Sequence, residues 1–423
     1  MKKFLIIISM FMLVFSLQAC GTTDDGDDNG NGGDETIEIT FKQNKPEIDD
    51  QLQAYARAYE AETGVKVNVV SCGGGACDLG DMLRSDYAAD QMPEIFPVDG
   101  VESFNEWALL AADLSGERWV NDTDVEFIVD GKVYGFPVNI EGWGMAYNAD
   151  LLEQAEIDPA TLTNYDAYVA AFAKLDGMKD ELGIKSVVSM TAGPGMYWVT
   201  AHHNFNSLLS NGLDYGDMSV VDAMLGGDID DTRLSEYADW VKLLFDYSDN
   251  AVLTTGGYDE QVNAFLNQEA VFVHQGNWID GNLTDATFNM AFAPHGSQKA
   301  DTDGIFVGAP AWYVVNKESA NAQAAKDFLD FMVYNELGHK YMVEDAGMIP
   351  AFTNITLEPA GQLSQSVMEW NQEGKIYSWL QYTYSGAFRD DTLGPIYNLL
   401  ASGDIDLATF NTRFKAALEE YAN

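Results

Sequence analysis

Apolar and polar positions alternate over residues 37–41, IEITF, and again over 65–70, VKVNVV, which is the period of a half-buried strand. Between them Leu52, Tyr55 and Tyr59 recur at helical spacing over residues 48–63, and Gly64 ends the pattern. Strand, helix and strand in that order predict a parallel α/β unit. The same exchange of periods continues down the chain. Helices are expected over residues 82–89, 105–114, 163–174, 234–247 and 258–267, with Asn164 as a candidate cap. Strands are expected over 94–98 and from 187, and Asn148-Ala149-Asp150 caps a further helix. Lys42, Gln43, Asn44 and Lys45 follow the first strand, where a parallel sheet presents polar side chains to a cleft.

One stretch departs from simple alternation. In 131–148, GKVYGFPVNIEGWGMAYN, Asp130-Gly131 predicts a two-residue hairpin turn. Pro137 then cannot continue a central ladder, so the chain bends or crosses over there. Beyond it Val138, Ile140, Trp143, Met145 and Tyr147 surround a single acid, Glu141. A carboxylate among apolar strand residues is costly unless it is paired or meets a ligand.

This stretch, "GK-apolar-YG-aromatic-P…EG-aromatic…YN" followed by D-L-L, resembles the first inter-lobe crossover of the family 1 extracellular solute-binding proteins. These are the sugar-binding components of ABC importers, of the maltose-binding-protein type. YEAETGVKVNVV resembles the family's opening, and the stretch from Ala270 to Trp278, AVFVHQGNW, its "A-apolar…G-x-W" strand and turn. GAPAWYVVNK with the following AAKDFLDF is similar to its second crossover, and Gly347-Met348-Ile349-Pro350 to its "G-x-x-P" turn. The matches run over nearly all of the chain after residue 37. The resemblance implies an α/β, two-lobed periplasmic-binding-protein fold with three inter-lobe crossovers, near residues 137–140, 307–312 and 333–338. It places residues 37–138 plus 309–337 in the N-terminal lobe and 139–308 plus 338–423 in the C-terminal lobe.

The N-terminus is targeting sequence. Lys2 and Lys3 precede an apolar run over 4–15, too short to span a bilayer. Leu17-Gln18-Ala19-Cys20 resembles a lipobox, with Gln18 as a departure, so residues 1–19 read as a lipoprotein signal peptide and Cys20 as the lipidated residue; ordinary signal-peptidase cleavage is the alternative. Residues 20–36 form a flexible tether. Asp25, Asp27, Asn29 and Gly30 mimic a calcium loop, but Thr36 stands where the closing Glu is required. The chain is thus expected outside the cytoplasm, on the membrane only through its lipid.

The charge balance, 22 basic against 67 acidic residues, repels phosphates and anionic headgroups and excludes nucleic acid as a natural partner. Cys72 and Cys77 in SCGGGACD read as a small disulfide loop, with two free thiols as the alternative; zinc would need further ligands. No nucleophile elbow, H-E-x-x-H or phosphate loop appears, and no metal or cofactor is expected.

Sugars present flat C–H faces and rims of hydroxyls, so their sites need aromatic plates and polar side chains. Trp143, Trp198, Trp278 and Trp312 lie in or beside Gly- or Pro-flanked turns, whereas Trp240 has helical core spacing. With Gln43, Asp99, Glu141 and Asn277 they form the expected ligand set. Trp370, Trp379, Tyr382 and Tyr384 come from a C-terminal stretch that in the family adds a further aromatic, and Arg389 is a hydroxyl donor or a salt-bridge partner. His202 and His203 read as surface or hydroxyl-bonding residues. The expected function is that of a monomeric binder that passes an oligosaccharide to the permease subunits of an ABC importer. A lipid-anchored glycoside hydrolase with paired carboxylates is the alternative from another class, and a receptor for a metal or polyamine on the same fold is the third.

Overall fold

A computed structural model describes residues 37–73 and 77–422. The signal peptide, the tether and Cys20 lie outside the described residues. Along the chain the strands are β1 (Glu38–Gln43), β2 (Lys66–Ser71), β3 (Ile95–Val98), β4 (Phe127–Val129), β5 (Lys132–Pro137), β6 (Glu141–Trp143) and β7 (Met145–Asn148). They continue as β8 (Ser186–Ser189), β9 (Ala270–Val273), β10 (Met290–Ala293), β11 (Ile305–Gly308), β12 (Trp312–Val315) and β13 (Ile376–Ser378).

The first lobe is built on a sheet in the order β2-β1-β3-β12-β5-β4. β1 runs parallel to β2 and β3, as the strand–helix–strand pattern requires. One face packs Ile39, Phe41, Tyr55 and Phe328 together; the other gathers Phe96, Val98, Trp107, Trp312 and Val314. Asp130 (φ 50°) and Gly131 (φ 75°) make the tight turn between β4 and β5, which pair Val129 with Lys132. The helix expected over 105–114 is instead Val101–Trp107. After it the chain is drawn out to the sheet, where Ala111 bridges Asn316.

The second lobe holds sheets ordered β10-β7-β9-β8 and β13-β11-β6, with a core around Tyr168, Phe172, Trp240, Phe272 and Phe414. Asn148 and Asn164 cap their helices by accepting from Leu151 N and Ala167 N.

Two passages between the lobes run side by side. Trp312 pairs with Pro137 in the first sheet, and Glu141 with Gly308 in the β13-β11-β6 sheet. Between these pairs Val138 N donates to Ala311 O at 3.2 Å. The third passage comes later than residues 333–338. Tyr341 stacks on Tyr55 (centroids 4.9 Å apart), and Met342, Phe352 and Ile355 stay in the first core, while Leu363 joins a further cluster with Phe265, Val273 and Val307. Apolar helix faces decide this: Tyr341 and Met342 extend the stripe that packs on the first sheet. Ile349 meanwhile pairs beside the first passage, where Ile140 N donates to its carbonyl at 2.9 Å.

Cys72 and Cys77 are joined by a disulfide, Cα atoms 5.6 Å apart. Cys72 is tied to the end of β1, since its N donates to Gln43 O at 2.9 Å. Among the described residues no helix is long and apolar enough to cross a membrane.

Candidate functional site

The polar run after β1 and the acid after Pro137 meet where the first passage enters the second lobe. Glu141 is buried, and its Oε1 accepts from Lys45 Nζ and from Asn139 Nδ2 (3.2 Å). Lys45 Nζ also lies 3.4 Å from Glu47. Burial alone lowers the pKa of Lys45, but the carboxylates of Glu141 and Glu47 outweigh it and hold it above the ordinary lysine value. A cavity of about 490 Å³ opens against this group, lined by Lys45, Glu47, Asn139, Glu141, Asn277 and Trp278 among others. One lysine, a carboxylate oxygen and an amide thus face a space of ligand size.

Trp278 supplies the apolar plate. Its ring folds over Gly276, where a Cβ would fall 2.1 Å from it, so glycine is required there. Its Nε1 donates to Gln275 Oε1 (2.7 Å), and Gln275 Nε2 to Gln261 Oε1 (2.8 Å), which fixes the indole before any ligand arrives. Trp379 stacks on it, centroids 6.0 Å apart and planes within 23°. Trp370, from the same C-terminal stretch, lies on a helix and donates to Phe292 O instead (3.1 Å).

The other expected ligand residues divide by what already occupies them. Gln43 is fully buried, with its amide bonded to Lys45 N (2.5 Å), Lys45 O (2.8 Å) and Ser71 Oγ; both its N–H groups are used and it holds the Lys45 loop. Asn277 accepts from Gly142 N (2.9 Å) and donates to Ser364 Oγ (3.0 Å), tying β6 to the helix Gln362–Gln372. Trp312 belongs to the first core: it packs on Phe127 at 5.0 Å and donates Nε1 to Val125 O at 2.7 Å. Trp143 is a buried floor, stacked on Phe306 at 4.3 Å. Trp198 is half-buried, 5.3 Å from His203. Asp99 is exposed at the end of β3, within electrostatic reach of His202 and Arg389. Arg389 is paired in two bonds with Asp390, at 2.9 and 2.6 Å.

The C-terminal stretch also bonds to the helix Val101–Trp107 and to the second passage itself. Gly386 N donates to Glu102 Oε2 at 3.1 Å, and Gln381 Nε2 to Pro310 O at 2.7 Å.

Four of the five histidines converge beneath the plates, which the sequence reading did not foresee. His203 is buried, not a surface residue, with its ring 4.8 Å from Trp278, 5.2 Å from Trp379 and 5.6 Å from Trp143. His274 and His295 lie 5.5 and 5.0 Å from Trp143. His202 accompanies them and contacts Gln381 Oε1. Burial lowers all four pKa values, that of His274 to about 4 and that of His202 to about 3, with Arg389 adding to the effect at His202. The imidazoles are therefore neutral at pH 7. They come from three separate segments, so no spacing in the sequence revealed the cluster. Among the described residues no group of three His, Cys, Asp or Glu side chains is arranged to hold a metal ion.

Comparison with known proteins gives a consistent set. Residues 54–390 match the bacterial extracellular solute-binding protein family. A maltooligosaccharide ABC transporter solute-binding lipoprotein of Streptococcus pneumoniae is 28% identical over 375 residues, covering 84% of this chain and 81% of that one. The melibiose/raffinose/stachyose-binding protein of Bacillus subtilis is 21% identical over 420 residues, covering 94% and 92%. Among solved structures, a sugar transporter of Bacillus licheniformis in complex with stachyose aligns at a TM-score of 0.70 with 17% identity, over 91% of this chain and 100% of that one. The apo form of a Streptococcus pneumoniae binding protein, RafE, aligns at 0.70 with 17% identity, over 93% and 100%.

Proposed function

The chain belongs to the bacterial extracellular solute-binding proteins, and from that premise we propose that it captures a neutral oligosaccharide between its lobes and delivers it to the permease of an ABC importer. The observation that carries this reading is the indole of Trp278, backed by the buried Trp379 and set beside the Lys45–Glu141 pair and its cavity. Indoles take sugar faces, and the carboxylate and amide take hydroxyls. One plate serves one ring, and a cavity of about 490 Å³ leaves room beside it for a further sugar unit. Few free cations face the cleft, since Lys45 and Arg389 are both paired with carboxylates, which disfavours uronates. That several relatives bear names of oligosaccharide binders supports the same choice.

The protein acts by binding without turning ligand over. Lipid at Cys20 holds it at the membrane surface outside the cytoplasm, and a ligand touching both lobes stabilises their closed arrangement by its differential affinity. Membrane fractionation tests the anchor: Cys20→Ala should release the chain from membranes, and retention of the variant contradicts it.

The sugar reading is tested at Trp278. Trp278→Ala should weaken oligosaccharide binding by about 1–3 kcal/mol in calorimetric titration. An affinity left unchanged, together with a large fall in melting temperature, assigns the indole to packing.

A further inference from the structure

The segment that carries His202, His203 and Asn204 is a π-helical turn, Trp198–Asn204. Such turns are uncommon and change the direction of successive side chains, and they recur at functional sites. Here the turn brings His203 against both indoles, 4.8 Å from Trp278 and 5.2 Å from Trp379. Its ring is only 6% exposed, yet Nδ1 has no hydrogen-bond partner. The next residue, Asn204, is fully buried with neither amide atom bonded. Buried polar atoms are nearly always bonded, so an orphan of this kind calls for a partner from outside the chain.

His274 and His295 also have free ring nitrogens, but their neighbours are of another kind. His295 packs on Trp240 and Phe306, and His274 on His295, all within the core. Only His203 shares its contacts with Trp278, which lines the cavity.

We propose that His203 is a specificity-determining residue of the cleft: its imidazole, presented by the π-helical turn, hydrogen-bonds a sugar hydroxyl at the level of the Trp278 and Trp379 plates. This rests on the oligosaccharide reading and adds a polar contact to it. Each nitrogen of a neutral imidazole either donates or accepts, and a hydroxyl can meet it in either role. Burial and the neighbouring His202, His274, Arg389 and Lys45 keep this ring neutral. A site that bonds a hydroxyl from a buried group also rejects ligands that lack it, because the group would be left unpaired.

The test is calorimetric titration of the whole chain with maltotriose and with raffinose, using wild type, His203→Asn and His203→Phe. Asn and His both carry their first polar atom on Cγ, so Asn keeps a polar group where Nδ1 stands. Phe fills the ring space and removes it. For whichever sugar wild type binds, the Phe variant should be weaker than the Asn variant by about 10-fold or more, the worth of a bond whose partner is stranded. A smaller ratio, whether both variants bind well or both bind poorly, overturns the inference. If His203→Phe fails to fold by melting analysis, His203→Leu replaces it under the same criterion. Should wild type bind neither probe nor any other neutral oligosaccharide, the carbohydrate reading has failed first, and the role of His203 falls with it.

Discussion

Lys45→Met is expected to destabilise the protein by about 3–5 kcal/mol at pH 7. Glu141 is 3% exposed, and Lys45 is its charged partner. Without the ammonium only the amide of Asn139 remains on that carboxylate oxygen. A charge buried with so little compensation must either take up a proton or draw in water. The cost is that of stranding a charge, which exceeds the net worth of the pair. The double variant Lys45→Met with Glu141→Gln removes both charges and should therefore recover most of the loss. Glu141→Gln alone should cost less, because Lys45 keeps Glu47 at 3.4 Å. Urea unfolding of the four proteins checks the set. A Lys45→Met variant within about 1 kcal/mol of wild type, or a double variant no better than the single, would contradict the pairing.

Lowering the pH from 7 to 5 is expected to remove several kcal/mol of stability, through His203, His274 and His295. Burial pushes their pKa values below the ordinary 6.5, and that of His274 to about 4. Below pH 6.5 the unfolded chain takes up protons that these folded imidazoles do not. Stability is thus fully present above pH 6.5 and falls as the pH drops towards the folded values. At about 1.4 kcal/mol per pH unit, His274 contributes a loss of about 2 kcal/mol by pH 5 and about 3 kcal/mol by pH 4. The other two act in the same direction, and the total is a large part of a typical folding free energy of about 5–15 kcal/mol. The net charge of −45 works the other way, since protonating carboxylates relieves repulsion. Ordinary Asp and Glu titrate near about 4, so that relief comes mostly below pH 5. Denaturant unfolding at both pH values decides between them: a fall on acidification is predicted, and a flat or rising stability would mean that the imidazoles are hydrated or paired.

How far the sequence discloses this protein depends on whether the signal is local. The hairpin at Asp130-Gly131, the caps at Asn148 and Asn164 and the parallel opening unit all follow from neighbouring residues, and the structure has them. Glu141 was legible as a carboxylate needing a partner, but its partner Lys45 is 96 positions away. Gln43, expected as a ligand residue from the same polar run, has its amide occupied by that run's own backbone. Flanking glycine and proline marked four tryptophans as turn residues, yet a turn places its ring towards a core or a cleft according to what packs above it. Trp278 lines the cavity, whereas Trp312 fills a core. Trp379 and the histidine cluster depend on contacts between distant segments, and no periodicity encodes those.

The most direct measurement is a calorimetric titration of the wild-type chain at pH 7 with maltotriose, raffinose, glucose, galacturonate and spermidine. The account predicts saturable one-to-one binding of a neutral oligosaccharide, with a negative heat-capacity change from burying apolar rings, and weaker or no binding of the monosaccharides. Binding of spermidine or galacturonate in place of every neutral oligosaccharide would contradict it.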